Sequence, residues 1–158
     1  MRSFLIVSAC IAEGSHQEGR RTTMISEDRQ TLLEVALWIA SHRNRRSVIR
    51  QLAVTEANYV CLIRELDRVE NQCSRARTLR AATTLTLVEW LETLEYFHWR
   101  CAYCQEKPFQ VMSHYRSLPH GRTTADNCVP ACRRCGQNQK HTNARVHNYL
   151  AQFTKQKR

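Results

Sequence analysis

From Ser26 onward the chain places apolar residues at helical spacing between polar ones. Ser26, followed by Glu27 and Asp28, predicts a helix start, because a hydroxyl can accept an orphan N–H and acids face the positive helix end. Leu32, Leu33, Ala36, Leu37, Ile39 and Ala40 then recur at three- to four-residue intervals and predict a wide apolar face ending by His42-Arg43-Asn44-Arg45-Arg46. Ser47 begins a short helix through Ala53, and Thr55 caps a longer one. Its buried stripe is expected at Tyr59, Leu62, Ile63, Leu66, Val69 and Cys73, with Arg64, Glu65, Asp67, Arg68 and Glu70 on the wet side. On this helix Cys61 and Cys73 read as small buried hydrophobes.

Thr86-Leu87-Val88-Glu89 is a capping box: the Thr86 hydroxyl can accept from the Glu89 N–H while the Glu89 carboxylate accepts from the Thr86 N–H. Leu85 and Trp90 are spaced as a hydrophobic staple across that cap. Trp90, Leu91, Leu94 and Phe97 continue the apolar face of a helix expected to run to about Trp99, which delivers the chain to Cys101. Further on, Thr142 is placed to cap a last helix with Val146, Tyr149, Leu150 and Phe153 on one side, and the basic tail Lys155-Gln156-Lys157-Arg158 is expected to fray.

Residues 1–25 have no comparable pattern. The opening run ending Val7-Ser8-Ala9-Cys10 superficially matches a lipoprotein cleavage site, but the apolar stretch before Cys10 is shorter than the roughly 7–15 residues such signals use. A short buried segment or a poorly ordered leader is expected instead. No run approaches the roughly 18 apolar residues of a membrane span, so no membrane partner is expected.

Charge changes the picture at the C-terminal end. The formal net charge is +10, and residues 96–158 carry 11 Lys or Arg against only Glu106 and Asp126. A field of that sign favours a polyanionic partner, nucleic acid first and an anionic membrane second. A basic surface serving solubility alone is the plainer alternative.

Eight cysteines are many for 158 residues. Cys101 and Cys104 form one C-x2-C, and Cys132 and Cys135 form a second after a 27-residue spacer. Close pairs of this kind are metal ligands in a reducing compartment rather than disulfides, which favours the cytoplasm. Four thiolates satisfy a tetrahedral zinc completely and leave no open position, so a structural Zn²⁺ is expected, acting as architecture rather than catalyst. Its thiolates and the ion together would leave the loaded protein about two units less positive than the formula.

Around these pairs stand Trp99-Arg100-Cys101-Ala102-Tyr103-Cys104, then His114, then Thr123-Thr124-Ala125-Asp126-Asn127-Cys128-Val129-Pro130-Ala131-Cys132-Arg133-Arg134-Cys135, and Lys140. Over residues 84–145 this set resembles the zinc-containing branch of the HNH endonuclease family. The resemblance implies a ββα-metal fold, in which a β-hairpin carries His114, a connecting loop holds Asn127, and a helix begins near the second cysteine pair. It implies His114 as the base that takes a proton from the attacking water and Asn127 as the residue that steadies hairpin and histidine. It also implies a separate divalent ion, Mg²⁺, Mn²⁺ or Ni²⁺, beside the phosphate, a chemically sound division of labour between a near-neutral imidazole and a hard cation.

Two positions depart from the family. Where an Asp, Glu or His usually precedes the base, this chain has Ser113, and where Asn or His usually follows the second pair, it has Gly136. Neither supplies a comparable ligand, and a carboxylate-free Mg²⁺ site is weak. His120, Asn138 and His141 are the nearby residues that could compensate, though each reads first as an ordinary polar residue on the surface. Arg133, Arg134, Lys140 and Arg145 are the expected phosphate contacts, which would set register without reading bases. The expected architecture is therefore α+β, with a leader over 1–25, a helical region over 26–83 and a zinc-stabilised HNH-like domain over 84–158. The expected function is metal-dependent cleavage of phosphodiester bonds in DNA, against the alternative of a decayed, zinc-stabilised binding or structural protein. RNA stays open as a substrate, because phosphate contacts are shared by both polymers.

Overall fold

The computed structural model describes residues 26–42, 46–118, 120–138 and 143–155. It is a mixed α and β structure, and its described residues divide into two compact units that part between Glu65 and Leu66.

The first unit is helical. Helix α1 spans Ser26–Ser41, α2 spans Arg46–Leu52, and α3 spans Glu56–Thr78, the last running on into the second unit. On α1 the buried positions are Leu32, Val35, Ala36 and Ile39, while Leu37 is 56% exposed. The expected face was drawn too wide: 32, 35, 36 and 39 form a single narrow helical stripe, and Leu37 lies off it. Thr55 caps α3 as expected, its Oγ1 accepting from the Asn58 N–H at 3.1 Å. The Asn58 amide in turn donates to Asp28 on α1 at 3.2 Å.

The buried stripe of α3 departs from the expected one. Asn58 and Glu65 are buried, Glu65 completely, whereas Tyr59 and Ile63 are only half-buried. The Arg64 guanidinium lies 3.3 Å from the Glu65 carboxylate. Spacing of 58, 61, 62, 65 and 69 selects the inward face, and residue type alone misassigns the acid. Cys61 is buried as expected but is disulfide-bonded rather than a free thiol.

The second unit contains the end of α3, helix α4 (Leu87–Tyr96), strands β1 (Val111–His114) and β2 (Cys128–Ala131), the short helix α5 (Arg133–Gln137) and helix α6 (Ala144–Lys155). The capping box of α4 forms in full: Thr86 Oγ1 accepts from the Glu89 N–H at 3.2 Å and the Glu89 carboxylate accepts from the Thr86 N–H at 2.9 Å. Leu85 and Trp90 are both buried, as a staple requires. The helix stops at Tyr96, earlier than expected, because His98 and Trp99 adopt left-handed backbone at φ 54° and 58°. That reversal turns the chain into the first cysteine pair.

Strands β1 and β2 pair antiparallel, Val111 with Ala131 through His114 with Cys128. Beneath them lies a core of Phe97, Ala102, Val129, Val146, Tyr149 and Leu150. The larger of these side chains, such as Phe97, Val129 and Leu150, each contribute about 1.5–3 kcal/mol by leaving water. One polar contact is built into it: the Tyr149 hydroxyl meets Thr93 Oγ1 at 2.9 Å. The apolar side expected for the last helix is therefore the observed one. Its cap is Asn143, whose Oδ1 accepts from the Val146 N–H at 3.2 Å, and Thr142 lies outside the described residues.

Candidate metal centre and histidine cavity

The first cysteine pair sits on a tight turn. Residues 100 and 108 bridge across it, the Cys101 N–H donates to the Lys107 carbonyl at 2.9 Å, and the Gln105 N–H donates back to the Cys101 carbonyl at 2.8 Å. Gln105 accommodates the reversal at φ 61°. The second pair is carried by β2 and α5: Cys132 occupies the N-cap position and Cys135 lies one turn on, with the Gly136 N–H donating to the Cys132 carbonyl at 2.9 Å. Hydrogen bonds from the Ala102 N–H to Pro130 at 2.8 Å and from the Gln110 N–H to Ala131 at 2.9 Å draw the turns together.

The four sulfurs converge. Sγ atoms of Cys101, Cys104, Cys132 and Cys135 all lie within 4.8 Å of one another. A tetrahedral ion at about 2.3 Å from each sulfur requires edges near 3.8 Å, so the cluster fits a metal ion such as zinc. Burial raises the Cys101 thiol pKa, and burial together with donation toward neighbouring sulfurs raises that of Cys135. Burial opposes ionisation of Cys104 too, but backbone N–H groups of Lys107 and Glu106 aimed at its sulfur bring its thiol below the ordinary value. Four crowded thiols cannot all ionise unaided, and a shared divalent cation removes that conflict.

His114 ends β1, buried, with its Nε2 2.9 Å from the hydroxyl of Thr123. Thr123 is itself fully buried and held by backbone: its N–H donates to Ala82 at 3.0 Å, and its carbonyl accepts from Thr84 and Leu85, each at 3.1 Å. The segment leading into α4 thus fixes the residue that fixes the imidazole. Burial first, and the nearby Arg75 charge second, lower the His114 pKa from its ordinary value. The ring is neutral at pH 7 and can accept a proton.

Asn127 immediately precedes β2 and clamps the loop between the strands. Its Oδ1 accepts from the Arg116 N–H at 2.7 Å, and its Nδ2 donates to the carbonyls of Arg116 at 3.0 Å and Arg122 at 2.6 Å. Gly121 is required there. A Cβ at that position would stand 1.8 Å from the Arg116 carbonyl oxygen and 2.8 Å from the Asn127 amide nitrogen.

A cavity of about 290 Å³ opens beside the histidine, lined by Gln72, Arg75, Ser113, His114, Ser117 and Gly136 among others. Ser113 and Gly136, where the sequence departs from the pattern it resembles, therefore share one cavity with His114. No Asp or Glu is among its described lining residues, and the Ser113 hydroxyl is hydrogen-bonded to Tyr103. With His114 as the one imidazole and no carboxylate among the described lining residues, the cavity does not supply the set of several ligands that the expected catalytic Mg²⁺, Mn²⁺ or Ni²⁺ calls for. His120 lines a separate cavity with Arg116 and His147, so it does not compensate. Asn138 is exposed at the C-cap of α5, and His141 lies outside the described residues.

Of the expected phosphate contacts, Arg133 and Arg134 are exposed on α5. The Arg145 guanidinium lies over the Phe97 ring at 5.6 Å, a packing role inside the unit. Lys140 lies outside the described residues. Arg75 was not singled out by sequence reasoning, and Thr123, which opens the quoted motif, was given no role in it. Comparison with protein-family models, curated proteins and solved structures finds no match to this chain.

Proposed function

We propose that this chain is an HNH-type nuclease whose zinc-held hairpin presents His114 to a phosphodiester of nucleic acid, with DNA as the first substrate to test. The observation that supports the reading is His114 lining an open cavity of about 290 Å³, beside a loop that Asn127 clamps with three hydrogen bonds. The zinc ion is architectural: Cys101, Cys104, Cys132 and Cys135 use every tetrahedral position. In the reaction a water oxygen bonds to phosphorus and its proton moves to the neutral imidazole. The P–O bond to the sugar oxygen breaks, and that oxygen takes a proton from solvent. Arg133 and Arg134 hold the flanking backbone by charge.

The four free thiols of the centre suit a reducing compartment such as the cytoplasm. No described helix is long and apolar enough to cross a membrane.

A second reading is favoured by one observation, the lack of a described carboxylate in the cavity: a zinc-stabilised module that binds nucleic acid without cutting it. Incubating zinc-loaded protein with plasmid DNA, and in parallel with RNA, without added ion and then with Mg²⁺, Mn²⁺ or Ni²⁺, decides between them. Nicking by the parent and none by H114A is the expected outcome. Equal nicking by both removes His114 from the chemistry, and tight binding with intact plasmid in every buffer selects the binding module.

A further inference from the structure

The wall of the cavity facing β1 is formed by Gln72, Arg75 and Leu79, at and just beyond the end of α3. Two neighbouring arginines on that helix are already engaged: Arg64 lies against Glu65, and the Arg68 guanidinium donates to the Gln110 carbonyl at 2.7 Å and covers the Phe109 ring. Arg75 differs, because it makes no ion pair with a described residue and is exposed at the cavity edge. It lies near enough to the imidazole for its charge to act on the ring. Opposite it, position 136 has no side chain and the Ser113 hydroxyl is turned to Tyr103.

The charge balance of such a cavity is positive. A guanidinium without a carboxylate repels a divalent cation and attracts an oxyanion, and its planar donors match two oxygens of one phosphate. Gln72 adds a neutral donor on the same wall. We infer that this cavity binds a single phosphate group of a nucleic-acid backbone, with the Arg75 guanidinium supplying the positive charge, and that it does so without a divalent ion. The inference rests on the reading above for the owner of that phosphate but not for the anion site itself.

A plain structural role competes with this. Arg75 and Arg77 both stand in the last turn of α3, where a cation favours the helix C-terminus. Arg77 does not line the cavity, so it is the matched control for loss of one charge.

The test titrates zinc-loaded, full-length protein with inorganic phosphate and, separately, with the thymidine dinucleotide that carries one internal phosphodiester. The His114 ring resonances are followed by NMR, with and without magnesium. A saturable shift is expected whose midpoint is the same with and without magnesium. R75A and R75Q should weaken it by about tenfold or more, and R77A by less than about twofold. Bound zinc and the amide spectrum of each variant confirm that it is folded. A shift that needs magnesium, equal losses in R75A and R77A, or no saturable shift would overturn the inference. Response to inorganic phosphate alone would overturn the backbone assignment. Intact plasmid alongside magnesium-independent, Arg75-dependent dinucleotide binding would sink the nuclease reading and leave this one standing.

Discussion

The imidazole of His114 is set by contacts from three directions: burial, the Thr123 hydroxyl at 2.9 Å, and the field of Arg75. Burial and the cation both penalise the protonated ring, so its native pKa lies below the ordinary value of 6.5. Replacing Arg75 by Ala removes one penalty and should move the NMR titration midpoint upward, while R77A should leave it in place. Because the native pKa is depressed, the unfolded chain binds the proton more readily. The contribution of this histidine to stability is complete above the unfolded pKa near 6.5 and is lost as pH falls through the native value. Asn127 carries a different burden. Its three side-chain hydrogen bonds, at about 0.5–1.5 kcal/mol each, make N127A about 2–4 kcal/mol less stable in urea unfolding. Asn127 stood out in the sequence through the motif around it. Arg75 did not, and the role of Thr123 in the same motif was illegible, because each acts through contacts with distant residues that no local pattern encodes.

At the scale of elements, what was legible was what is local. The capping box at Thr86 and Glu89 follows from four consecutive residues, and T86A should cost about 0.5–2 kcal/mol in thermal unfolding. The α1 and α3 faces were read only approximately. Leu37 is apolar yet lies off the buried stripe, and Glu65 is an acid that lies on it; only the packing of neighbouring helices distinguishes those positions. The end of α4 was missed for a related reason, since left-handed His98 and Trp99 carry none of the glycine or asparagine that usually announces such a reversal. The strand-to-strand loop sets a strict requirement at one residue. G121A drives a methyl group into the Arg116 carbonyl, and the loop must open or Asn127 must release it. A loss of about 1–3 kcal/mol or more is expected, together with shifted amide resonances at residues 115–127.

For the molecule as a whole, the paired cysteines were the most legible feature. Two short turns separated by 27 residues predicted a cluster, and their sulfurs meet within 4.8 Å. Apparent zinc-binding free energies of about 10–16 kcal/mol in small zinc domains match or exceed the 5–15 kcal/mol that holds an ordinary domain folded. Removing the ion with a chelator, or one ligand in C132S, should therefore collapse amide dispersion across residues 100–150, whereas a native spectrum without stoichiometric zinc would refute the architectural role. One residue already in place makes that loss countable in time. Cys128, on β2 opposite His114, is fully buried, and burial pushes its thiol up to about 12. An alkylating reagent can reach it only when the sheet opens, so its modification rate under native conditions is a built-in clock for that opening, slow in the loaded protein and fast once the four sulfurs are stripped.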